Sequence, residues 1–266
     1  MSERRKVRYG ANVIFALILA ASLFIAGGLG AVYAGFFGEG QMKLAMEESG
    51  YYDTVFQNMR QETELAVTMV GAPAAVADAL TYEDVRIALL RQTDGTEGDG
   101  SEDSANWLAG KVEEAFRTYL QEEEISLTGQ AEDGLSRLTS YLEASYGQDL
   151  TIPGQDRLLA DRGEFMKLMS WLLPLTLCLS VGCCVVLVMI QHYRHRGLRW
   201  AARGILLACA ALAACSFLLG RGAETAELSA MWQNYVLRGM GMGWYTAGIG
   251  LVLALCFEIA SRGWKG

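Results

Sequence analysis

The sequence predicts an all-α membrane protein, with four transmembrane helices and a helical extracytoplasmic domain inserted between the first and second. Three observations carry this. Four apolar runs, 12–37, 165–191, 200–220 and 240–260, are each long enough to cross a hydrocarbon core of roughly 30 Å at about 1.5 Å per residue. Charge is split between two solvents: residues 37–165 hold 26 acidic and 9 basic side chains, and the rest of the chain holds 4 and 13. No segment sustains the period-two alternation of a half-buried strand, whereas several repeat apolar residues at helical spacing.

The run that orients the others is 165–191. Its first 26 residues carry one charge, Lys167, and Arg194, Arg196 and Arg199 follow in the loop 192–199. Arginines in a short loop stay on the cytoplasmic side, so this span runs from outside to inside. The tail 1–11 carries Arg4, Arg5, Lys6 and Arg8 before the first span, and 261–266 carries Arg262 and Lys265 after the fourth. Both termini are therefore expected in the cytoplasm and 38–164 outside, in a multi-pass protein of the cell membrane. Val32-Tyr33-Ala34 would serve as a signal-peptide cleavage triplet. The apolar run before it is longer than a typical signal core, which favours an uncleaved anchor. Five of the six tryptophans, all but Trp107, fall at predicted interfaces.

Gly27, Ala31 and Gly35 recur every four residues in the first span, with Ala16 and Ala20 in its other half. Small residues at that spacing admit a second helix at close range, so these three are the candidate helix-packing residues. The partner is either another span or a second copy of the chain in a homo-oligomer. Pro174 predicts a kink in the second span.

In the acidic domain, Val55, Phe56, Met59, Ala66, Met69 and Val70 form one helix face before the breaker Gly71-Ala72-Pro73. Thr81 and Asp84 form a capping box ahead of Val85, Ala88 and Leu89. Trp107, Leu108, Val112, Ala115, Phe116, Tyr119 and Leu120 make the strongest stripe, and Leu135, Leu138, Leu142 and Tyr146 make another that stops at Gly147. The domain contains no cysteine, so packing alone must hold it. Asp94–Asp103 is rich in acids and glycines, but its spacing is not that of a calcium loop; a solvated loop is expected. Between the third and fourth spans, 221–239 puts Leu228, Met231, Trp232, Tyr235 and Val236 on one face, as in an interfacial helix on the outer leaflet.

Chemistry-bearing residues are sparse. His192 and His195 are an H-x-x-H pair without a third ligand nearby, and contact with lipid headgroups suits their basic loop better than metal. Glu258 lies near the inner end of the fourth span, four residues before Arg262, as in a snorkelled ion pair. The cysteine pair Cys183-Cys184 reads as helix-packing material. No catalytic motif is present, so no enzyme and no cofactor are expected, and an acidic exported domain argues against nucleic acid.

The order of four spans with one exported insert is similar to that of the lipoprotein intramolecular transacylases. That family's chemistry is thought to use exported histidine, which 37–165 lacks, so its activity is not carried over. The stretch Tyr193-Arg194-His195-Arg196-Gly197-Leu198-Arg199-Trp200 after an apolar span also resembles uncharacterised four-span membrane proteins of Gram-positive bacteria. The expectation is a protein that sits in the lipid bilayer and binds an extracytoplasmic protein partner, or senses conditions, through its acidic domain. The alternatives are an oligomeric channel or transporter with an acidic mouth, and a membrane-embedded enzyme acting on lipid or lipoprotein.

Overall fold

The computed structural model describes residues 3–38, 40–94, 100–124, 129–191, 194–226 and 228–263, and among them there are helices and no strands. In chain order these are α1 (Glu3–Val32) with a π-helical turn at Tyr33–Phe37, α2 (Gln41–Ser49), α3 (Tyr51–Met69), a 3-10 turn at Ala74–Ala79, α4 (Tyr82–Asp94), α5 (Gly100–Glu122), α6 (Gly129–Leu150), α7 (Gln155–Ile190), α8 (Arg194–Thr225) and α9 (Ala230–Gly263). The chain divides into two compact units: Met42–Asp156, and the segments Met1–Gln41 and Arg157–Gly266 together.

The second of these holds α1, α7, α8 and α9, each long and apolar enough to cross a membrane. Much of their apolar surface points outward, as it must in lipid, where apolar burial does not drive association. Close approach does that work here. A Cβ on Gly27 would lie 2.9 Å from Leu212 Cδ1 and 3.2 Å from Thr246 Cγ2, and one on Gly204 would lie 2.9 Å from the Ala16 carbonyl. Ser216 fills the space beside Gly243, and Cys209 the space beside Gly250. Helices α8 and α9 share the buried residues Ile205, Cys209, Leu212, Ala247 and Ala254, while α7 joins through Leu19, Cys183, Leu187 and Ala201. The α7 helix runs unbroken through Pro174. The apolar face from Leu228 to Val236 does not form a separate interfacial helix. From Ala230 onward it is the first part of α9, continuous with the fourth span.

In Met42–Asp156, α3 to α6 and the 3-10 turn enclose a core built from the expected stripes. Met59, Val85, Leu89, Leu108, Val112 and Leu142 are fully buried, each contributing about 1.5–3 kcal/mol relative to exposure. Two details differ from the sequence reading. Helix α6 continues past Gly147 to Leu150, because Leu150 is itself fully buried and extends the stripe by a turn. Met69 and Val70 leave the core face: Met69 is 84% exposed at the end of α3, where the chain turns through Gly71 at φ 84°. Residues 95–99 of the acidic stretch lie outside the described residues.

Candidate functional site

The inserted unit carries a polar seam between α3 and α6. Tyr146 is fully buried, yet its hydroxyl lies 2.5 Å from Thr63 Oγ1, which itself donates to the Met59 carbonyl at 2.6 Å. Burial pushes the Tyr146 phenol up to about 12. At the adjacent positions Ser145 donates to Glu62 across the same pair of helices. Asp149, the next acid along α6, has a buried Oδ2 with no hydrogen-bond partner among the described residues. Burial, and then the nearby Glu62 charge, push its carboxyl above the ordinary carboxylate value. Tyr51 is raised as well, by burial first and then by Asp149.

A second polar group fastens α4 to α5. The Thr81 capping position is as expected: the Asp84 amide donates to Thr81 Oγ1 at 3.3 Å, and the Thr81 hydroxyl donates back to Asp84 Oδ2 at 2.6 Å. Lys111 donates to the other oxygen of Asp84. Burial works against the Asp84 charge, but the hydrogen bonds from Lys111 and Thr81 outweigh it and hold the carboxyl below its ordinary value. Lys111 and Arg91 both stack on Trp107, at 4.7 and 5.1 Å from its ring.

The surface of the unit offers one feature of another kind. At the end of α3, Leu65, Met69 and Val70 are exposed together, within a unit that carries 23 acidic and 7 basic residues. Leu65 and Met69 are one helical turn apart and share a face.

In the long apolar helices, the three candidate packing residues fall on the side of α1 that meets its neighbours. Gly27 abuts Leu212 of α8 and Thr246 of α9, Ala31 is buried, and Gly35 lies in the π-helical turn against the backbone of Gly239. The Tyr235 hydroxyl donates to the Phe36 carbonyl, and the two rings meet edge to face at 5.6 Å. Sequence reading missed Gly204, Gly239, Gly243 and Gly250, which stand in α8 and α9 against the Ala16 carbonyl, the Phe36 ring, Ser216 and Cys209 respectively. Gly239, Gly243 and the buried Ala247 repeat every four residues in α9, the same signal as in the first span, and could have been found by it. Glu258 pairs with Arg262 at 3.4 Å and also with Arg199 of α8 at 3.8 Å. His195 is partly buried at the start of α8, and His192 lies outside the described residues. Among the described residues no three His, Cys, Asp or Glu side chains converge as a metal site.

No family model, no curated protein and no solved structure matches the chain.

Proposed function

We propose that the chain is a non-enzymatic, multi-pass protein of the cell membrane that presents Met42–Asp156 on the extracytoplasmic face and binds a partner protein there. The observation that carries this reading is the exposed apolar end of α3, Leu65, Met69 and Val70, on a unit that packs its own core. Apolar groups clustered at an accessible helix end, in a strongly acidic setting, favour a partner with an apolar spot rimmed by lysine or arginine. The orientation follows from the basic residues beside the first, second and fourth spans, which place both termini in the cytoplasm.

The test is a photoreactive amino acid at Met69 of the full chain, with the same group at exposed Glu114 of α5 as control, irradiated in intact cells. The reading expects one discrete protein adduct from Met69 and none from Glu114. Identical patterns from both positions, or none from Met69, would sink it. Labelling of Ser2→Cys by an impermeant thiol reagent in intact cells, in a cysteine-free background, would overturn the orientation.

A further inference from the structure

We infer that the four long apolar helices hold a binding site for one lipid acyl chain, in a cleft between α7 and the rest of the bundle. The cleft has a volume of about 610 Å³. Its floor is buried: Leu19 and Ala26 of α1, and Ala208 and Leu212 of α8. Its lips are exposed: Leu177 and Val181 of α7, and Ile249 and Leu253 of α9. A closed core would bury both sets. Here the floor is shielded by protein while the mouth opens sideways, to whatever surrounds the helices.

Three properties select the occupant. Water is excluded by the lining, which offers almost no polar surface. The Ser180 hydroxyl is 2.8 Å from that of Ser22 and bonds the Thr176 carbonyl at 2.8 Å, and Thr246 Oγ1 donates to the Met242 carbonyl at 2.9 Å. A water needs two to four polar partners, and these are already taken. Length excludes a spanning helix. The α7 lining runs from Leu173 to Val185, about 18 Å at ~1.5 Å per residue, against a hydrocarbon core of roughly 30 Å. Width points the same way: a helix is about 10 Å wide, whereas one extended hydrocarbon chain is far thinner. The four helices, once in a bilayer, bring the mouth against such chains. The site needs only that the helices span; it does not depend on the side that Met42–Asp156 faces or on what that unit binds.

The probe is phosphatidylcholine with a photoreactive diazirine in its acyl chain, in vesicles holding the full-length protein. After irradiation, adducts are mapped by peptide mass. The site predicts adducts on the buried floor residues Ala26, Ala208 and Leu212, in addition to those on outward-facing Leu218 and Ile259. In Ala208→Phe, which fills the floor, floor adducts should drop at least several-fold while those at Leu218 and Ile259 persist, showing that the variant is still inserted. Should Ala208→Phe fail to insert, the wild-type map alone decides. Adducts confined to outward-facing residues overturn the proposal, as do floor adducts that survive in Ala208→Phe. An unlabelled floor in a protein that runs as a dimer assigns the cleft to a second copy and also overturns it.

Discussion

Gly35 and Gly239 stand so close that a Cβ on Gly35 would lie 2.5 Å from the Gly239 carbonyl oxygen and 2.8 Å from its Cα. No rotamer change relieves such a contact, because both obstacles are backbone. Gly27 is different. A Cβ there would meet the tip of the Leu212 side chain at 2.9 Å, and a leucine methyl can move. The two glycines share a pattern in sequence but differ in what they tolerate.

Gly35→Ala should therefore lower the stability of the protein in detergent by about 1–3 kcal/mol, and Gly27→Ala by less. Gly30→Ala is the control, since nothing lies within 4 Å of a Cβ there, and alanine in a helix should be neutral or slightly stabilising. Thermal unfolding of the three variants ranks them. If Gly35→Ala tracks Gly30→Ala, the close approach of α1 to α9 does not hold the bundle together. Gel filtration of the same samples shows whether assembly changes as well.

How much of this was legible beforehand depends on what a pattern can say. The period of Leu108, Val112, Phe116 and Leu120 names a buried face, and that face is buried. The Thr81–Asp84 cap is local, so four residues of sequence suffice to find it. Gly27, Ala31 and Gly35 mark a face of the first span, but periodicity cannot name Leu212, Thr246 and Gly239 as what meets it, since those residues lie far along the chain. Met69 and Val70 fit the α3 period and still leave the core, because the helix ends there and the chain turns away at Gly71. The acyl-chain cleft has no sequence signal. It comes from how α7 is seated, which depends on pairs such as Ser22 and Ser180 that only the fold brings together.

Tyr146 should make the inserted unit sensitive to alkali. Its folded value of about 12 lies above the ordinary 10.0, so the fold favours the protonated phenol. That contribution is complete below pH 10.0 and is lost as pH rises toward 12. Thermal stability of the wild type should fall over this interval, and Tyr146→Phe should flatten the fall while costing about 1 kcal/mol at neutral pH through the lost hydrogen bond to Thr63, whose hydroxyl keeps the Met59 carbonyl. A wild-type curve unchanged across that interval would contradict the burial of this phenol.

Asp149→Asn should stabilise the protein at neutral pH. With its folded value raised by burial and by Glu62, the carboxyl is better tolerated neutral. Its favourable contribution is therefore present below the ordinary 3.8 and is lost as pH rises through the folded value. The amide mimics the neutral form at every pH. The gain should be largest at neutral pH and disappear in acid, and thermal melts of both proteins across that range would show it. A variant less stable than wild type at pH 7 would mean that the Asp149 charge has a favourable role.

Asp84 should show the opposite sign. Its carboxyl receives hydrogen bonds from the Thr81 hydroxyl and from Lys111, and stands in the first turn of α4, where a negative charge also meets the helix dipole favourably. Its folded value lies below 3.8, so its stabilisation is present above that value and is lost as pH falls through the lower, folded one. Asp84→Asn keeps the shape but removes the charge, and should cost about 1.5–3 kcal/mol at pH 7, the range for a hydrogen bond to a charged partner. Lys111→Met should cost less, because Thr81 still serves Asp84 and the methionine keeps some contact with Trp107. In the double variant the two costs should not add, since each removes the same pair. Full additivity would mean that Lys111 and Asp84 act separately, with the ammonium contributing through Trp107 alone.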